Sequence, residues 1–248
     1  MDGLGDFAKD GLLVQRRGDV RRINVLGERS SGTNFVKRLI GQNSALRPVE
    51  LLGWKHGFPS AAAIPPDIAV VLCVRGADNW ARSMHAKPWH AAPELQRLGF
   101  SDFIRAPWTT VLDKMKYFET TGLPAAQGQP LQYDRHPLTG APFENLFALR
   151  RAKLQGLLSY LARDCTVVLC RMEDAQAAPE AFLDRVLAPL GHARQEAFKP
   201  VYKRLGSRFA AAVPDRPAPP EEMSAEDRAF MQTQLDPAQE AALGYSYG

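Results

Sequence analysis

The chain is short of several things, and each shortage narrows what it can be. Only three cysteines occur among its 248 residues, Cys73, Cys165 and Cys170, and none forms a C-x-x-C pair. That argues against a disulfide framework or a thiolate metal site. Two of the three lie inside apolar runs, the pattern of buried reduced thiols in a cytoplasmic protein. No run approaches the ~20 apolar residues of a membrane span, so no transmembrane segment is expected. The opening "MDGLGDFAKDGLLVQRRGDVRR" lacks a signal-peptide pattern. A formal net charge of +4 is too mild to indicate a nucleic-acid binder, although it suits a ligand carrying several negative charges. There is no internal repeat.

What is present points to alternating strands and helices. Three apolar runs without alternation, "RINVLG" (22–27), "IAVVLCVR" (68–75) and "CTVVLCRM" (165–172), predict strands covered on both faces, as a parallel sheet requires. "VELLGW" (49–54) is a weaker fourth. Helical patterns fall at 33–42, 77–86, 109–120 and 143–163, with Phe147, Leu154, Leu158 and Leu161 recurring at helical spacing in the last. The expected fold is α/β, a three-layer sandwich around a central, mainly parallel sheet. Residues 1–21 read as an N-terminal lead-in and 22–212 as the main domain. Within it, 123–142 is a loop long enough to be a lid. Residues 213–248 read as a proline-rich linker and a C-terminal helix, 224–234, packed on the same domain.

The segment "INVLGERSSGTNFVKRLI" (23–40) carries Gly27 and Gly32 at the two glycine positions of the phosphate-binding motif G-x-x-x-x-G-K-[ST]. Where that motif has Lys and Ser or Thr, this chain has Thr33 and Asn34. Main-chain amides of 28–34 and the start of the following helix still suit an anion. Ser30, Ser31 and Thr33 add hydroxyls, and Arg29 adds a charged fork. Loss of the lysine and of the metal-holding hydroxyl argues against triphosphate hydrolysis or kinase chemistry.

The loop "SSGTN" (30–34) resembles that of the sulfotransferases that use 3′-phosphoadenosine 5′-phosphosulfate (PAPS), a superfamily related to the P-loop proteins. The resemblance implies a P-loop NTPase-like sheet, with Arg29, Ser30, Ser31, Gly32, Thr33 and Asn34 around the 5′-phosphosulfate. The family's basic residue stands one position later than Arg29 does here. Phe35 falls where cytosolic members hold an aromatic against the adenine, and core packing is an equal reading of it. "VVLCVRGADNWARSMH" (70–85) resembles the family's 3′-phosphate segment, an apolar strand ending in Arg75 with Ser83 eight residues later. A basic stretch near the C-terminus, "AFKPVYKRLGSRF" (197–209), lacks the family's Arg-Lys-Gly signature and reads as a solvated helix or loop, the resemblance offering Lys203 and Arg204 as further 3′-phosphate contacts.

"GWKHGF" (53–58) resembles the region that carries Lys-x-His in cytosolic members, although here Lys55 and His56 are adjacent. The resemblance makes His56 the general base and Lys55 the cation that neutralises the leaving oxygen. Histidine suits the task because it titrates near neutral pH. "VVLCRMED" (167–174) echoes a later family segment, with Arg171 where an aromatic often stands. "ENLFALRRAKLQG" (144–156) resembles an Asn–Arg–Lys helix of bacterial members, in which Asn145, Arg150 and Lys153 fill structural positions.

The implied activity is metal-independent transfer of a sulfuryl group from PAPS to a hydroxyl, or as second choice an amine, leaving adenosine 3′,5′-bisphosphate. The acceptor would be a small molecule or saccharide, with 87–108 and 123–142 as its walls. Trp89 and Trp108 there either stack on a ring or pin the loops. Two other classes remain open at this level: a small-molecule kinase, and a non-catalytic nucleotide-binding relative.

Overall fold

The computed structural model describes residues 4–118, 123–202 and 209–248. These form two compact units. Among these residues, the first comprises those of 4–76, 153–202 and 236–248, the second those of 77–118, 123–152 and 209–235.

The first unit is a three-layer α/β structure built on a five-stranded sheet. Its strands are β1 (Leu12–Gln15), β2 (Arg22–Gly27), β3 (Arg47–Val49), β4 (Ile68–Val74) and β5 (Thr166–Arg171), in the order β1-β5-β4-β2-β3. Four run parallel, and β1 pairs antiparallel with β5 at one edge. The unalternating apolar runs are explained by burial on both faces. Ile23, Val25, Ala69, Val71, Cys73, Val168 and Cys170 enter one core. Leu26, Ile68, Val70, Leu72, Val74, Val167 and Leu169 enter the other.

Helices close both cores. On the first face α2 (Thr33–Asn43) contributes Val36, Leu39 and Ile40. Beside it α8 (Pro179–Leu187), which follows the short α7 (Met172–Ala177), contributes Phe182, Leu183, Val186 and Leu187. The opposite face is covered by Leu4 and Phe7 of α1 (Leu4–Asp10), by Leu154 and Leu157 of α6 (Leu146–Leu158), and by Leu243 after α10 (Pro237–Ala242). All three cysteines are free and buried, and desolvation pushes the Cys73 thiol up, which makes it unreactive.

The second unit contains α3 (Ala77–Ala86), α4 (Pro93–Gln96), α5 (Phe100–Arg105), the first half of α6 and α9 (Ala225–Gln234). Asn145 caps α6, its Oδ1 accepting from the amides of Phe147 and Ala148. Arg150 is fully buried, its guanidinium 5.2 Å from the centroid of Trp80. A cavity of about 550 Å³ opens between Gly99–Asp102 and residues 218–227. Its acid Asp227 already holds Ser101 and Arg105, so this is structural chemistry.

Several expectations need correction. The fourth strand lies at Arg47–Val49, and 50–54 is outside it. Residues 109–118 form isolated bridges and a single 3₁₀ turn instead of a helix. The stretch read as a lead-in supplies α1 and β1, and the C-terminal segment adds α10. Among the described residues of 123–142 there are only two 3₁₀ turns, in keeping with a long loop.

Leu72 is fully buried in the middle of the central strand. Leu72→Ala should lower the unfolding free energy by about 2–5 kcal/mol, measured by urea denaturation with an unchanged m-value. A loss below half a kcal/mol would show that β4 is not the centre of the core.

Candidate functional site

The order β3-β2-β4 makes the carboxyl ends of β2 and β4 the place where the chain's path across the sheet reverses. Open α/β sheets form their ligand crevices there. Gly27 ends β2 in register with Cys73, so the glycine turn and Arg75 emerge from neighbouring strand ends.

The turn depends on its two glycines. A Cβ on Gly27 would stand 2.6 Å from the Cys73 carbonyl oxygen and 2.6 Å from Ser31 Oγ. Gly32 has φ +89°, and its Cβ would lie 1.9 Å from Met172 Sδ. Ser30 also takes a positive φ, +64°. Inside the turn, the Ser31 amide and hydroxyl both donate to the Glu28 carbonyl, at 3.2 and 2.7 Å. Ser31 therefore braces the loop, and its hydroxyl is not turned to a ligand as the sequence suggested. The amides of Ser30, Gly32, Thr33 and Asn34 find no acceptor among the described residues. Those donors at the positive end of an 11-residue helix are of the kind that suits an anion.

Arg75 is half-buried and its Nη1 donates to the Ser30 carbonyl at 3.1 Å. The strand-end arginine and the turn thus share one crevice. Next to it, the Gly76 amide donates to Glu173 Oε1 at 3.0 Å, and the Tyr245 hydroxyl donates to Glu173 Oε2 at 3.0 Å.

The segment after β3 brings in the remaining chemistry. Asn24 Oδ1 accepts from the amides of Leu51 and Leu52, and Gly27 N–H donates to the Lys55 carbonyl at 3.0 Å. Lys55 Nζ reaches Asn34 Oδ1 at 2.7 Å, so an ammonium arrives at the head of α2 from a different segment than the motif's lysine. Burial and the neighbouring Lys37 lower the Lys55 pKa, while Glu50 opposes them.

His56 Nδ1 lies 2.7 Å from the Gly27 carbonyl. A carbonyl only accepts, so Nδ1 carries the proton and the neutral ring keeps its lone pair on Nε2. Desolvation, together with the charges of Lys55, Arg29 and Lys153, pushes the imidazole well below its ordinary range, against the pull of the Gly27 bond. Adjacency of Lys55 and His56 is no obstacle, because 54–57 is a turn closed by Gly57 N–H to the Trp54 carbonyl.

Trp54 gathers this group. Arg29 sits over its ring at 5.7 Å and Lys153 at 5.9 Å, and the His56 ring meets it edge-on at 5.3 Å. The buried Arg29 is thus stacked on an indole. Sequence reasoning passed over Trp54, and it took Lys153 as structural only. Their signal was the aromatic before Lys55 and the basic residue on an apolar helix face.

Other expected residues fall elsewhere. Phe35 packs half-buried against the first core, which favours its packing role. Ser83 lies on α3 in the second unit, whereas Arg75 belongs to the first. Lys203 and Arg204 lie outside the described residues. Trp108 is buried against Phe103, and half-buried Trp89 packs on Tyr117 and Phe209, so both hold loops down. Arg171 binds Asp174 and the carbonyls of Ala8, Lys9 and Gly244, a structural knot. His85, His90, His136 and His192 are bound to main chain or to Asp113.

No described group of three or more metal-ligating side chains occurs, and no helix among the described residues is long and apolar enough to cross a membrane. The chain matches no family model, no curated protein and no solved structure.

Two measurements check this geometry. Gly32→Ala should lose about 1–3 kcal/mol of stability, from a strained backbone and the collision with Met172; an unperturbed denaturation midpoint would contradict the turn. In an NMR titration the His56 ring should stay neutral through pH 6.5 and protonate only below it. The unfolded chain then binds the proton first, so this group's share of stability is complete above about pH 6.5 and declines as pH falls towards the folded value. A midpoint at or above 6.5 would show that His56 is not buried among cations.

Proposed function

We propose that the protein is a sulfotransferase that moves a sulfuryl group from PAPS to the hydroxyl of a small-molecule or saccharide acceptor, on a P-loop NTPase-like variant of the three-layer sheet. The observation that carries this reading is the Arg75 guanidinium seated on the glycine turn, beside four unclaimed amides. One anion held by main-chain dipoles and another by a guanidinium, at adjacent strand ends, match the two phosphates of the donor.

In this reading the amides of Ser30, Gly32, Thr33 and Asn34 hold the 5′-phosphosulfate, and Arg75 holds the 3′-phosphate. His56 Nε2 takes the proton of the acceptor hydroxyl as its oxygen attacks sulfur in line. The bond between sulfur and the 5′-phosphate oxygen breaks, and its electron pair leaves with the bisphosphate. Lys55, at the head of α2, neutralises the charge that gathers on that oxygen, which is why no metal ion is required. Positioning and fixed charge supply most of the acceleration, as in phosphoryl transfer.

Titration calorimetry with adenosine 3′,5′-bisphosphate should show binding that Arg75→Ala weakens by about 1–3 kcal/mol. Equal affinity for AMP would remove the 3′-site. With labelled PAPS and a mixed acceptor library, His56→Ala should turn over about 10² to 10⁴-fold more slowly than wild type with bisphosphate affinity retained. Bisphosphate binding without any transfer by the wild type would instead favour a non-catalytic nucleotide-binding protein.

A further inference from the structure

Lys153 lies on α6 and is only 4% exposed. A buried ammonium is costly unless its protons are used. Its Nζ donates to the main-chain carbonyl of His56 at 2.8 Å. It also rests over the Phe58 ring at 4.2 Å and the Trp54 ring at 5.9 Å. One turn further along α6, Gly156 closes against the same segment: a Cβ there would meet Pro59 Cδ at 3.0 Å and Phe58 Cδ1 at 3.3 Å. The helix therefore packs on residues 54–59, whose Lys55 carbonyl and His56 ring also bond to Gly27.

We propose that Lys153 is a positioning residue for His56: by binding the His56 carbonyl it fixes the backbone from which the imidazole reaches Gly27, and so aims Nε2 for proton transfer. The role rests on the sulfuryl-transfer reading for its catalytic meaning, but the geometry it sets exists in the free protein. His56 is held at two points, its carbonyl by Lys153 and its Nδ1–H by Gly27. With one of them lost, the ring can swing about the other. The charged groups that face it are Lys55 from its own segment, Arg29 from the glycine turn and Lys153 from α6, all cationic. Removing one cation also eases protonation of the ring, so position and protonation state report together.

The test compares wild type with Lys153→Met, which keeps the apolar stem, and Lys153→Gln, which keeps an N–H donor without the charge. Circular dichroism establishes that each is folded. ¹⁵N chemical shifts of the His56 ring then read its tautomer and titration. In Lys153→Met the Nδ1–H form should give way to a mixture of tautomers, and the midpoint should move upward. Turnover should fall ~10-fold or more, part of the about 10² to 10⁴-fold that a positioned base supplies, with bisphosphate affinity unchanged. Lys153→Gln should keep more of the Nδ1–H form than Met does while still shifting the midpoint. A Lys153→Met protein with the wild-type tautomer and titration overturns the proposal, as does an equal loss of bisphosphate binding in both variants. If the wild type binds no bisphosphate, the sulfuryl-transfer reading fails, and the His56 spectra alone decide the role of Lys153.

Discussion

The peptide of Gly27 is the constraint on which the site depends. Its N–H donates to the Lys55 carbonyl and its carbonyl accepts from His56 Nδ1, so one residue at the end of β2 holds the backbone of Lys55 and the ring of His56. The same residue is packed so closely against the Cys73 carbonyl and Ser31 that no side chain fits. The glycine turn, the strand end that carries Arg75 and the His56 ring are thereby referred to a single point. A shift in any of them must move β2, whose neighbours on both sides are hydrogen-bonded to it.

Electrostatics follow from that compactness. Arg29, Lys55, Arg75 and Lys153 gather around the glycine turn and the segment 54–58, where a low dielectric strengthens the interactions each charge makes. Trp54 makes the crowding tolerable: its ring takes the Arg29 and Lys153 cations and packs nearly perpendicular to the His56 ring. Desolvation holds the His56 ring towards its neutral form, and the same cations add to it.

The legibility of the fold tracked burial. The strands 22–27, 68–74 and 166–171 were plain because both faces are covered and every residue had to be apolar. β1 was invisible because its four residues are half-buried at a sheet edge and flanked by charge. "VELLGW" looked like a strand because Leu52 is buried and its amide is bonded, but the bond goes to the Asn24 side chain, which stands in for a neighbouring strand. In 109–118 the apolar Leu112 and Phe118 are buried as in a helix, but the backbone bonds run to Ala92, His90 and Gln129. α8 announced itself through Pro179 at its first turn and Phe182, Leu183, Val186 and Leu187 on one face, and was passed over.

By itself the sequence determined where the chain must turn sharply, which runs must be buried, and that an arginine ends the central strand. Those are local demands, met by residue type and spacing alone. Tertiary structure decided which strand ends are neighbours, that Lys55 meets Asn34, that the His56 ring bonds to Gly27, and that Lys153 reaches the same segment from 97 residues away. Such meetings depend on how two cores pack across one sheet, a sum over many side chains that no short stretch of sequence contains.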